Sequence, residues 1–208
     1  MYNQFYFLHI DKTIARTAEI RMFYQLYKVI EDFGVSAVNL NTPHKNHNQW
    51  KDFDEKTFIF SIIRDPVSRT ISDFCWWANY GENNIRTHFE SRDWNCPFYN
   101  KKILTDWIET KHIPNYQSSI ISNNISRINM LVKAEYIINN ENKLRENILN
   151  KMGISYSFPY YAPDSEHVFM PHTKSLDDML INNPSILEKI KNLNKKDLLL
   201  YNQASNIF

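Results

Sequence analysis

At 208 residues, 43% hydrophobic and 14% aromatic, the chain has the composition of a globular protein and the length for one domain with a full core. A formal net charge of +1 excludes a strong global field for nucleic acid or an acidic membrane, so any anion site must be local. No apolar run reaches membrane-spanning length and the first residues lack the plan of a signal peptide. The expectation is therefore one domain over residues 1–208, cytoplasmic or a trimmed catalytic domain, with no membrane span and no nucleic-acid partner.

Phe5-Tyr6-Phe7-Leu8-His9-Ile10 reads as the first strand. Asp11-Lys12-Thr13 follows as a short turn. Ile14 to Phe33 then carries helical spacing, with Ile20, Phe23, Tyr24, Tyr27 and Ile30 on one side and Gly34 as its stop. Lys12 stands over the start of that helix, where backbone N–H groups and the dipole favour an anion; the alternative is an exposed lysine after a strand. Arg16, in the first helical turn, faces either an anion there or solvent. The sequence has three glycines, Gly34, Gly81 and Gly153, and none lies in this turn, so it is not a Walker A loop.

Val35 to Leu40 predicts a second strand. Asn41 to Asp54 is polar, with His44 and His47 either solvated or one of them a base. If one acts, His47 is preferred, because Trp50 and Phe53 beyond it suggest a return to the core. Next, Phe58-Ile59-Phe60-Ser61-Ile62-Ile63 has the length and β-branched content of a buried strand. Arg64 ends it, Asp65 is a natural N-cap, and Pro66 fits the first helical position. Ser68 and Ser72 share a helix face with this corner. A guanidinium and a hydroxyl here suit a phosphate, against a reading of Arg64 as a structural arginine and Ser72 as a serine bonded back to its own helix. Arg69 is read as structural or surface.

Trp76, Trp77, Tyr80, Trp94 and Phe98 follow, as core or as an aromatic acceptor wall. Cys75 and Cys96 make no disulfide framework, and free thiols are expected. Leu104 to Glu109 is helical, and Ser118 to Ile128 is undecided. Asn142 to Met152 predicts a helix stopped by Gly153. Ser157 to Pro171 reads as a loop, and Pro184 to Ala204 as helical. The whole predicts an α/β domain with a parallel sheet of about four or five strands and helices on both faces.

Two stretches carry a family likeness. His9-Ile10-Asp11-Lys12-Thr13-Ile14-Ala15-Arg16-Thr17 and Arg64-Asp65-Pro66-Val67-Ser68-Arg69-Thr70-Ile71-Ser72 together resemble the sulfotransferases that use 3′-phosphoadenosine 5′-phosphosulfate (PAPS). The likeness is to the carbohydrate-type, heparan sulfate 2-O-sulfotransferase-like branch. The second match is nearly complete; in the first, Asp11 stands where the family has proline, and Ile14 and Arg16 where it has small residues. Weaker likeness continues in Ile128 to Glu135, Pro171-His172-Thr173-Lys174-Ser175, and Lys195 to Tyr201.

The resemblance implies a P-loop-like three-layer fold and sulfuryl transfer from PAPS to a hydroxyl, in particular on a carbohydrate, with no metal. It implies nucleotide contacts from Lys12, Thr13, Arg16, Thr17, Arg64, Ser72, Lys174 and Ser175, and catalytic roles for Lys12 and for His47 or His44. A catalytically inactive nucleotide-binding homologue and an ATP-dependent kinase are the alternatives.

Overall fold

A computed structural model of the chain describes residues 2–11, 13, 16–38, 52–80, 101–137, 140–158 and 180–204. Four strands form one parallel sheet: β1 (Gln4–Leu8), β2 (Ser36–Val38), β3 (Thr57–Ile63) and β4 (Met130–Lys133), in the order β2-β1-β3-β4. The eight helices described are α1 (Arg16–Asp32), α2 (Pro66–Tyr80), α3 (Lys101–Thr110), α4 (Tyr116–Ile121), α5 (Ala134–Ile137), α6 (Glu141–Met152), α7 (Pro184–Leu193) and α8 (Lys195–Gln203). A 3-10 turn, Ser122–Arg127, leads into β4. Among the described residues no helix is long and apolar enough to cross a membrane.

The strand β3 is buried along its whole length, as a central parallel strand covered on both faces must be. Its alternating side chains divide between two cores. Phe58, Phe60 and Ile62 join Phe5 and Phe7 of β1 against α1 and α6. Ile59 and Ile63 join Tyr6 and Leu8 against Ile120 and Ile121 of α4 and Leu200 of α8. Ser61 is the polar exception on that second face, and its hydroxyl donates to the Leu8 carbonyl at 2.8 Å. A third cluster packs Ile71 and Phe74 of α2 against Leu104 and Trp107 of α3 and Ile186 and Ile190 of α7.

The chain moves from β1 outward to β2, and from β3 outward the other way to β4. Right-handed crossovers travelling in opposite directions put their helices on opposite faces. Hence α1 covers one face, and the helices between β3 and β4 deliver α4 to the other. The two connections diverge between the carboxyl ends of β1 and β3, and that is the switch point where an open α/β sheet has its crevice.

The stretch Pro184 to Ala204 is helical, as two helices that meet at Asn194, whose backbone leaves helical values at φ −110° and ψ 30°. The Asn194 amide is buried and offers side-chain bonds in place of a continuous ladder. The undecided stretch from Ser118 belongs to α4 and the 3-10 turn. Elsewhere the punctuation holds. Gly34 and Gly153 stand just past α1 and α6 with φ of 77° and 82°, the left-handed conformation that glycine adopts at least cost.

Candidate functional site

Both sequence corners lie at the switch point. After β1, the chain turns at Ile10: the Thr13 N–H and hydroxyl both donate to the Ile10 carbonyl, at 3.3 and 2.7 Å. Thr13 is fully buried, so its hydroxyl proton is committed to this turn. After β3, Arg64 is 6% exposed. Asp65 caps α2 as its residue type predicts, accepting the Ser68 N–H at 2.8 Å.

The N-terminus of α2 is already filled by carboxylates. Asp65 occupies the cap, and Glu135 of α5 accepts the Asp65 N–H at 2.9 Å. A phosphate at this corner therefore has to be met by side chains rather than by the helix terminus. Ser68, Ser72 and Cys75 recur along one stripe of α2. The Arg64 guanidinium lies within electrostatic reach of Glu135, Asp65, Cys75 and Arg69. Burial lowers its pKa, while Glu135 and Asp65 oppose the shift; an arginine keeps its proton in either case.

Arg69 joins the two corners. It is 3% exposed. Its Nε donates to the Asp11 carbonyl at 3.2 Å, its Nη2 lies 3.7 Å from Asp73, and its Cζ stands 4.2 Å over the Tyr116 ring. The Tyr116 hydroxyl donates to the Asp11 carboxylate at 2.8 Å. Burial, and then that bond, raise the phenol's pKa, so Tyr116 stays a donor. Asp11, where the resembled motif has proline, thus anchors the first turn to α2 and α4. The His9 Nε2 lies 3.5 Å from the same carboxylate.

At the far edge, the Tyr201 hydroxyl donates to Glu135 at 3.1 Å and Lys133 stands over the Tyr201 ring at 4.5 Å. Burial, and then the Glu135 charge, raise the pKa of the Tyr201 phenol. The acidic end of the late strand is thereby tied to the Arg64 corner and to α8.

The other sequence-derived candidates fall as follows. Lys12, His44, His47, Lys174 and Ser175 lie outside the described residues, as do Trp94 and Cys96. Arg16 and Thr17 open α1, and their side chains are not described. Ser72 is half-buried on α2. Cys75 is buried against the third core. Trp77 packs against the third core, whereas Trp76 is 45% exposed.

Sequence reasoning missed three positions that hold this site: Gln117, Asn194 and Asp197, all buried. The Asn194 Oδ1 accepts the Asn115 N–H at 3.0 Å, which orients its amide. Nδ2 then donates to the Ile190 carbonyl at 2.9 Å and faces His112 Nε2 at 3.1 Å. That ring nitrogen is therefore the acceptor, and His112 is neutral. A buried polar residue in a segment with no clear period is the signal that was available, but it names no partner.

Burial, and then Arg69, lower the His112 pKa below its ordinary 6.5; the charges of Asp73 and Asp197 oppose the shift. The unfolded chain binds a proton near pH 6.5 that the folded chain refuses. This group's stabilisation is therefore complete above that value and declines as pH falls through it. Melting curves should show stability falling as pH drops below about 6.5, with His112→Gln flattening the dependence. An equally steep slope in the variant would assign the acid sensitivity elsewhere.

Compared with protein-family models, curated proteins and solved structures, the chain matches none.

Proposed function

We propose that this chain is a PAPS-dependent sulfotransferase with a P-loop-like fold, transferring the sulfuryl group to a hydroxyl of a carbohydrate. The observation that carries the reading is the convergence of the turn after β1 and of Arg64 on one switch point of a parallel sheet. In open α/β sheets that crevice is where the ligand lies.

In the reaction, the acceptor oxygen forms a bond to sulfur as the bond from sulfur to the 5′-phosphate oxygen breaks. The leaving adenosine 3′,5′-bisphosphate takes the electron pair. Lys12 stabilises the charge that develops there, as in other in-line transfers. His47 or His44 takes the acceptor's proton. Arg64 and Ser72 hold the 3′-phosphate, remote from the reacting sulfur, and so set nucleotide affinity and choice. Arg16, Thr17, Lys174 and Ser175 complete the nucleotide contacts.

The test is titration of the folded protein with adenosine 3′,5′-bisphosphate and with AMP. A charge-assisted hydrogen bond is worth about 1.5–3 kcal/mol, so the bisphosphate should bind roughly tenfold or more tightly. Arg64→Ala should erase most of that difference. A variant that discriminates the two nucleotides as well as the wild type would remove Arg64 from the 3′-phosphate.

One observation favours a second reading, a nucleotide-binding homologue without activity: the Thr13 hydroxyl is turned to the Ile10 carbonyl and fully buried. Radiolabel transfer from PAPS to an acceptor panel separates the two, since an inactive homologue binds the nucleotide and transfers nothing.

A further inference from the structure

The strand β3 outruns its neighbours before it reaches Arg64. Its pairing with β1 ends at Ser61 and its pairing with β4 at Ile63. Arg64 is nevertheless buried, so its backbone N–H and C=O need partners other than water. Gln117 of α4 supplies both. Its Oε1 accepts the Arg64 N–H at 2.9 Å and its Nε2 donates to the Arg64 carbonyl at 2.9 Å. One carboxamide thus continues the ladder for one residue past the sheet.

Gln117 is itself fixed. It is fully buried. Its own N–H donates to Asp197 Oδ2 at 3.1 Å, and the Ser118 N–H donates to Asp197 Oδ1 at 2.7 Å. Asp197, on α8 and 1% exposed, therefore sets the start of α4. The turn before α4 is held to the same junction: Asn115 accepts the Lys196 N–H at 2.9 Å and donates its own to Asn194. A continuous chain of bonds runs from α8 through α4 to the backbone of Arg64.

We propose that Gln117 is a positioning residue for phosphate recognition, aiming the Arg64 guanidinium by clamping the Arg64 backbone, and that Asp197 acts through it. This rests on the reading of Arg64 as the 3′-phosphate ligand. Position matters because a guanidinium binds phosphate through a fixed fork, and a small rotation of its backbone loses the paired geometry. A phosphate met by a long side chain on an unpaired backbone would have to order that backbone on binding, at a cost in affinity.

The experiment titrates wild type, Gln117→Met, Gln117→Glu and Asp197→Asn with adenosine 3′,5′-bisphosphate and with AMP, each checked for folding by circular dichroism and thermal melting. Wild type should prefer the bisphosphate roughly tenfold or more. Gln117→Met should lose most of that preference while its AMP affinity changes little. Gln117→Glu keeps the acceptor and should lose less; if Gln117→Met fails to fold, a fall in preference in Gln117→Glu supports the inference and an intact preference overturns it. Asp197→Asn should lower the same ratio, and combined with Gln117→Glu should lower it no further than the larger single effect. A folded Gln117→Met with a lower melting point and full preference would reduce Gln117 to a structural role and overturn the inference, with the function of Arg64 left standing. A wild type that binds both nucleotides equally would overturn the 3′-phosphate reading, and this inference with it.

Discussion

Lys12→Ala should lower turnover by about 10²–10³ at saturating PAPS, with a much smaller change in nucleotide affinity. The lysine lies between β1 and α1; in the proposed transfer, charge develops on the leaving phosphate only as the bond to sulfur breaks. An interaction made in the transition state and not in the bound state appears in kcat rather than KM. Loss of one such contact typically costs about 2.7–4 kcal/mol. Single-turnover transfer from radiolabelled PAPS measures it directly. Near-wild-type turnover in the variant would sink the mechanism, because no other lysine or arginine of the first motif precedes the helix.

The largest effect on stability should come from Arg69. Its guanidinium is buried and holds together the Asp11 carbonyl, the Asp73 carboxylate and the Tyr116 ring. Arg69→Met fills much of the volume but leaves the Asp11 carbonyl without this donor and Asp73 without its counter-charge. Removing one partner of a buried pair costs about 3–5 kcal/mol. Asp73 is 25% exposed, so water recovers part of its charge and about 3 kcal/mol is expected. For a chain of this length that lowers the melting temperature by about 6–12 °C. Asp73→Asn should cost less, since it leaves the other two contacts intact. A shift of under about 2 °C for Arg69→Met would mean that water reaches the site and that the corners are not joined through this side chain.

Arg69 also shows where sequence reasoning stops. Within its helix it is one more arginine at the second turn, and the alternatives of structural or surface residue stay open. Its partner carbonyl belongs to Asp11, 58 positions earlier, and no local period records that distance. The same holds for Gln117 and Asp197, joined across 80 positions, and for Gln117 and Arg64, joined across 53. Asp11 is the converse case. As a departure from a motif it reads as a loss; in the fold its carboxylate receives Tyr116 and its carbonyl receives Arg69.

What the sequence by itself determined is local. Unbroken apolar runs gave β1 and β3, since a parallel strand covered on both faces needs no polar alternation. Asp65 and Pro66 marked the start of α2, and Gly34 and Gly153 the ends of α1 and α6, because capping and left-handed turns depend on one or two adjacent residues. Those signals also located both corners of the candidate site. The tertiary structure alone decided that β1 and β3 are neighbours with diverging connections, that carboxylates close the N-terminus of α2, and that one helical stretch breaks at Asn194 so that its amide can reach Asn115. Each of these depends on which distant groups satisfy a buried backbone or a buried charge. That requirement is imposed by the absence of water in the packed interior, and it has no footprint in the spacing of residues along the chain.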